Sequence, residues 1–269
     1  MKFTWPHEFY TENSLPSKTI LPRFQRIYIC LPACRESFRV CRPIVGLDGC
    51  FLKGYYGGQL LTAIGRDPND QMLPIAYAVV EAENKDSWSC FLTHLTNDIG
   101  MSGITYIFDQ QKGLVQVFKE LLPGVDHRFC VRHLYNNFRK KISSKNLKCL
   151  LWKASNATFE EEWSTSMNEI REISVKAYDH LLAIERSLWC KHSFGSRPKC
   201  DVVVNNMTEA FNRVILDMRE KPILTMLEDI RVYLMSRWAN NRQRIEKQIS
   251  EVNIKIAKKL DDEAKLSGL

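Results

Sequence analysis

Three carboxylates stand in settings suited to chemistry. Asp48 closes the apolar run Ile44-Val45-Gly46-Leu47, and Asp109 follows Tyr106-Ile107-Phe108. Glu209 lies in Asn205-Asn206-Met207-Thr208-Glu209-Ala210-Phe211-Asn212, a stretch with a helical pattern. Carboxylates at the ends of two strands and on a facing helix can surround a pair of divalent metals for phosphodiester chemistry. Each also has a plainer reading. Asp48-Gly49 fits an ordinary turn after a strand, Asp109 fits a cap for the helix that follows it, and Glu209 fits a solvated helix position.

The elements that must hold these residues are visible as changes of period. Phe24 to Leu31 predicts an accessory strand. Ile44 to Asp48, Gln59 to Gly65 and Leu73 to Val80 predict three strands whose short connections make an antiparallel meander. Arg66-Asp67-Pro68-Asn69-Asp70 is a dense turn signal between the last two. The spacing then becomes helical from Asp86, with Trp88, Phe91, Leu92 and Leu95 on one face. Thr105 to Phe108 is a fourth strand, Lys112 to Leu122 a helix, and Val125 to Phe129 a fifth strand. This β-β-β-α-β-α-β order predicts an α/β fold with an antiparallel edge on a partly parallel sheet. From Val131 onward the pattern is almost wholly helical, interrupted by a loop from Cys190 to Asp201.

The bulk properties allow a sizeable core. The chain has 269 residues, 45% of them hydrophobic, and a formal net charge of +7. A basic balance fits an anionic partner such as nucleic acid. No apolar run is long enough to cross a bilayer, so no membrane association is expected. Nine cysteines without regular spacing, and a start that lacks a secretory apolar region, predict a reduced intracellular protein with free thiols.

The ordered motifs resemble the catalytic domain of plant Mutator-like transposases, the MULE or MuDR type. They are Gly46-Leu47-Asp48-Gly49-Cys50-Phe51-Leu52-Lys53-Gly54, Pro74-Ile75-Ala76-Tyr77-Ala78-Val79-Val80-Glu81, Glu83-Asn84-Lys85-Asp86-Ser87-Trp88, Asp109-Gln110-Gln111-Lys112-Gly113-Leu114, His127-Arg128-Phe129-Cys130-Val131-Arg132-His133-Leu134, Asn205-Asn206 with Glu209 and Asn212, and Lys221-Pro222-Ile223-Leu224-Thr225-Met226-Leu227. Phe108 departs from the pattern, which commonly has a small residue there. The resemblance implies a ribonuclease-H-like mixed five-stranded sheet with helices, carrying a catalytic triad of Asp48, Asp109 and Glu209. An all-helical insertion precedes the last carboxylate.

The implied organisation has four parts. Residues 1–23 form a remnant or linker, and 24–130 with 201–240 form the core. Residues 131–200 form the helical insertion and 241–269 a basic C-terminal helix. The resemblance also implies Mg²⁺ or Mn²⁺ as cofactor, in two ions. Asp48 would bridge both, with Asp109 on one and Glu209 on the other. The implied partners are transposon terminal inverted repeats and target DNA, in the nucleus, with the chain acting as a homo-oligomer. Relative to full-length members the chain is expected to be truncated at both ends. A domesticated, non-catalytic DNA-binding regulator and an inactive remnant are the competing readings.

Two further groups of residues carry expectations. Cys130 and His133 form a Cys-x-x-His element. Two ligands do not complete a structural zinc site, so Cys130 is read as core and His133 as a hydrogen-bonding neighbour. Lys53 and Lys112 follow the two aspartates closely and are expected to meet phosphate. Arg132, Arg139, Lys140 and Lys141, with Tyr135 and Phe138 interleaved, fit a DNA-facing strip or a solvated helix face.

Overall fold

The computed structural model describes residues 2–4, 24–55, 57–139, 145–247, 252 and 254–267. Its first part alternates strand and helix. The strands are β1 (Lys2–Thr4), β2 (Arg26–Cys30), β3 (Arg42–Phe51), β4 (Gln59–Arg66), β5 (Met72–Val80), β6 (Thr105–Phe108) and β7 (His127–Phe129). The helices among them are α1 (Pro32–Phe38), α2 (Lys85–Ile99) and α3 (Lys112–Leu121). Among the described residues, seven further α-helices follow: α4 (Val131–Arg139), α5 (Lys145–Asn156), α6 (Glu160–Ile173), α7 (Val175–Leu182), α8 (Asn206–Val214), α9 (Ile223–Glu246) and α10 (Ile254–Leu266).

The strands form one mixed sheet in the order β1-β2-β5-β4-β3-β6-β7. The meander β3-β4-β5 is antiparallel, while β6 runs parallel to β3 and β7 parallel to β6. Among the described residues the five core strands are joined by two more: β2, the accessory strand expected over Phe24 to Leu31, and β1, which was not expected. β2 adds to the free edge of β5, and β1 adds to β2, both antiparallel. Part of the expected 1–23 linker is therefore an edge strand, and the rest of that segment lies outside the described residues.

Both faces of the sheet are covered, which is why the central strands read as unbroken apolar runs. β4 is buried along seven consecutive residues, Gln59 to Gly65. On one face α2 and α3 pack Trp88, Phe91, Leu92, Leu114, Val117 and Phe118 against Val45, Leu47, Leu61 and Phe108. On the other, Phe211 and Ile215 from α8 and its end join Met226, Ile230 and Leu234 of α9 over Cys50, Leu60, Ile64 and Tyr77. Each fully buried side chain of this size contributes roughly 1.5–3 kcal/mol. A third cluster lies among α4 to α7, built on Leu134, Phe138, Leu151, Met167, Ile170 and Trp189. Trp163 and Trp189 are core residues of that cluster.

Two boundaries differ from the sequence reading. α1 was not foreseen, although Pro32 at its first turn is a start signal. The expected basic helix over 241–269 is two helices, because α9 runs on to Glu246 before α10 begins.

Candidate active site at the carboxyl ends of β3 and β6

β3 and β6 are parallel neighbours, with Gly46 opposite Ile107. Continuing that register by two residues sets Asp48 beside Asp109, so both aspartates occupy the same end of the sheet. Asp48 does not end its strand, as the sequence suggested. β3 continues through Phe51, paired with Leu61, Leu60 and Gln59 of β4. Asp109 does follow directly on β6.

Helix α8 crosses the Asp48 face of β3. Asn205 lies over Gly46, donating from Nδ2 to the Leu47 carbonyl at 3.0 Å. About two helical turns later, Asn212 donates from Nδ2 to Asp48 Oδ2 at 2.8 Å, and Gly49 N–H donates to Asp48 Oδ1 at 3.0 Å. These bonds fix the carboxylate's orientation. Burial pushes the Asp48 carboxyl up to about 6; the nearby His133 counteracts this, while Asp109 adds to it.

A fourth carboxylate joins the site, one that reading the sequence for triads passed over. Glu83 sits in the turn between β5 and α2. Its carboxylate lies on Gly49, so close that a Cβ on that residue would stand 2.8–3.0 Å from its carboxyl atoms. Burial pushes Glu83 up to about 7, and its negative neighbours Asp109 and Asp48 add to the shift. The starts of α2 and α3 interlock behind it. Gln111 donates from Nε2 to the Glu83 carbonyl at 2.9 Å and accepts at Oε1 from Leu114 N–H, capping α3. Its own N–H donates to Asp109 Oδ1 at 3.1 Å. A Cβ on Gly113 would meet Lys85 N at 2.8 Å, so that glycine allows the two helix starts to touch. The motifs around Glu83 and Asp109, 26 positions apart in numbering, are therefore one structural unit.

Glu209 is placed differently. It lies on α8 as expected, but its carboxylate is ion-paired with Arg132, whose other nitrogen donates to Asn206 Oδ1 at 2.8 Å. The charges acting most strongly on Asp48 are His133 and Asp109, with Glu209 outside that group. Among the described residues, no three His, Cys, Asp or Glu side chains stand close enough to hold a metal ion as they are. The site therefore assembles Asp48, Asp109 and Glu83, with Glu209 held to one side by Arg132.

Cys130 is fully buried and accepts from Asn205 N–H at 3.3 Å. It thereby ties the end of β7 to the start of α8. Burial alone would raise the Cys130 thiol, but bonding to His133 and Asn205 outweighs it and lowers the thiol overall. Bonding to Cys130 in turn raises His133 to about 9, with smaller contributions from Asp109 and Asp48. The cationic form of His133 is thus favoured beside both aspartates. His127 stacks on Phe108 with ring centroids 5.5 Å apart. Phe108 itself is buried beside Phe118 at 4.6 Å, which accommodates the bulky residue preceding Asp109.

The expected DNA-contacting cations fall in three settings. Lys112 and Arg139 are exposed, whereas Lys53 is exposed and paired with Glu220 at 3.2 Å. Arg132 is committed to Glu209. Lys140 and Lys141 lie outside the described residues.

Residues 44–137 match the family model of the MULE transposase domain. That stretch contains Asp48, Glu83, Asp109, Cys130 and His133, and Glu209 lies beyond it. The chain is also similar to Protein FAR1-RELATED SEQUENCE 7 of Arabidopsis thaliana, at 26% identity over 133 residues. The aligned stretch is 46% of this chain and 17% of that relative. Among the described residues, no helix is long and apolar enough to cross a membrane.

Proposed function

We propose that this chain, which carries a MULE transposase domain over residues 44–137, is the core of a metal-dependent DNA transposase that cleaves and transfers strands at transposon ends. The observation that carries the reading is the convergence of Asp48 and Asp109 at one end of a parallel strand pair. The strand order β5-β4-β3-β6-β7, three antiparallel strands followed by two parallel ones, supports the ribonuclease-H-like assignment. On that assignment the helices between β7 and α8 are the insertion that separates the second aspartate from Glu209.

The residues fit Mg²⁺ or Mn²⁺. Carboxylates are hard oxygen donors of the kind these ions prefer. They are drawn from water and pressed toward one another, and Gly49 leaves a cradle where a side chain would otherwise intrude. Asp48 and Asp109 would hold the metals, joined by Glu209 once Arg132 releases it. When bound, such ions polarise a scissile phosphate and activate the attacking water or 3′-hydroxyl. The protein's own share is orientation. Asn212 and Gly49 N–H fix Asp48, Gln111 N–H fixes Asp109, and the His133 cation limits the repulsion between them.

DNA is the substrate class, since a MULE transposase domain acts on DNA. Exposed Lys112 and Arg139 would contact phosphate, with Lys53 and Arg132 exchanging Glu220 and Glu209 for it. A nuclear location and a homo-oligomer that pairs two ends follow from this activity.

The test is strand cleavage. Purified protein with Mg²⁺ or Mn²⁺ is expected to nick a supercoiled plasmid or a duplex carrying candidate inverted repeats, and chelation should stop it. Binding that weakens steeply with salt, without any cleavage in either metal, would instead support a non-catalytic DNA-binding regulator. The Arg132–Glu209 pair is the observation that favours that second reading.

A further inference from the structure

We infer that Glu83 is a metal-holding carboxylate of this site, working beside Asp48 and Asp109. The inference rests on the reading of the site as a divalent-metal centre and adds a residue to it.

Four features of the fold place Glu83 there. First, its carboxylate lies against Gly49 while the N–H of the same glycine holds Asp48 Oδ1, so the two acids flank one residue. Second, the strongest charges acting on Glu83 are both negative, Asp109 and Asp48. A structural carboxylate of this kind normally has a cation beside it. Here the nearby bases are engaged elsewhere, with Lys85 on Glu120 and Arg26 on Glu81. Third, the backbone of Glu83 is fixed by the Gln111 amide, which also caps the helix following Asp109. Fourth, Gly113 lets the start of α3 pack directly on Asn84 and Lys85, so Glu83 and Asp109 are held in one frame.

Asp48, Asp109 and Glu83 are half-buried, and a group of like charges in such a setting is unfavourable unless a cation joins it. His133 offsets the repulsion at Asp48, while no cation is among the charges acting most strongly on Glu83, and none of the trios among the described residues is tight enough to grip an ion as it stands. A divalent ion between them reverses the sign of the interaction and draws them in. The Glu83 carboxylate rests on a residue with no side chain, with the Trp88 indole as its hydrogen-bonding neighbour, so it has room to turn toward an ion. Glu209 meanwhile is engaged by Arg132. Glu83 therefore supplies the third oxygen ligand in the DNA-free protein.

Direct Mn²⁺ binding to the full chain, followed by calorimetry and by the electron paramagnetic resonance of free Mn²⁺, tests this. Wild type is expected to bind, and Asp48→Asn to lose binding. Glu83→Gln is expected to weaken it about tenfold or more, the size already typical for groups that only support a metal ligand. Gly49→Ala should weaken it in the same direction, because its methyl displaces the Glu83 carboxylate while leaving every acid present. A circular dichroism spectrum and a cooperative melt confirm that each variant is folded. Wild-type affinity in both Glu83→Gln and Gly49→Ala, with Asp48→Asn defective, overturns the role of Glu83 and leaves the metal centre standing. Absence of Mn²⁺ binding by the wild-type chain overturns both.

Discussion

Asp48→Asn is expected to abolish strand cleavage while making the metal-free protein more stable. Loss of activity should reach about a thousandfold or more, as when one member of a cooperating catalytic set is removed. The opposite effect on stability follows from the site's electrostatics. Burial raises Asp48 from 3.8 to about 6 and Glu83 from 4.5 to about 7. A carboxyl raised on folding contributes stability that is fully present below its unfolded value and lost as pH rises through its folded value. The native protein therefore loses stability between about pH 4 and pH 7, and above that range it carries the full penalty of adjacent buried charges. An amide at position 48 removes its share.

That amide also keeps the local hydrogen bonds. Asn212 donates to Asp48 now, and its own Oδ1 has no partner. Turning the Asn212 amide lets that oxygen accept from the new side chain. The expected gain above pH 7 is about 2 kcal/mol after solvent screening, or roughly 5 °C in midpoint. It should shrink toward zero near pH 4, where the wild-type carboxyl is itself protonated in the folded protein. The His133 cation acts in the same direction, because its stabilisation is complete below pH 6.5 and lost as pH rises through about 9, so variant and wild type are compared at each pH between 4 and 8. Mg²⁺ should raise the wild-type midpoint and leave the variant unmoved. A variant less stable than wild type at pH 8 without metal would contradict this account of the site.

That trade between stability and activity also marks what could be read from the chain. Strands β3 to β7 were legible because their apolar runs end at turn residues and because the period switches to helical at Asp86 and Lys112. The ends were less so. Asp48 looks terminal because Gly49 breaks the apolar run, yet Gly49, Cys50 and Phe51 stay paired with β4. β1 carries three residues, and only the edge of β2 makes it a strand.

The same limit applies to the site. Asp48 and Asp109 were found because each follows an apolar run. Glu83 follows a strand too, after Glu81 and Ala82, but a second acid two positions earlier makes it look like an ordinary polar turn. The available signal was the pair of glycines, Gly49 and Gly113, whose missing side chains make room for it and for the helix that frames it. The Arg132–Glu209 pair joins residues 77 positions apart, and no local pattern announces it. Cys130 read correctly as core, but its bond to Asn205 N–H, which anchors the start of α8, required the fold.

Gly46→Ala is expected to damage both fold and activity through a single methyl. Gly46 is buried in the centre of β3, and a Cβ there would stand 2.1 Å from Asn205 Oδ1 and 3.0 Å from the Thr208 methyl. Neither neighbour can retreat cheaply. Asn205 is 2% exposed, holds the Leu47 carbonyl, and gives its N–H to Cys130. Thr208 is fully buried and its hydroxyl donates to the Asn205 carbonyl at 3.0 Å. The start of α8 must therefore lift from the sheet, and Asn212 moves off Asp48 with it. Overpacking of this kind costs about 1–3 kcal/mol, and lost buried hydrogen bonds add roughly another 1 kcal/mol. The expected result is a midpoint lowered by about 5–10 °C, together with a cleavage rate that falls even at temperatures where the protein is folded. Gly57→Ala serves as the control for alanine at a glycine. That glycine has φ +63 and nothing within 4 Å of an added Cβ, so its cost should be confined to backbone strain of about 1 kcal/mol, with cleavage retained. Equal loss of activity in the two variants would show that the close contact of α8 with β3 is not what holds Asp48 in place.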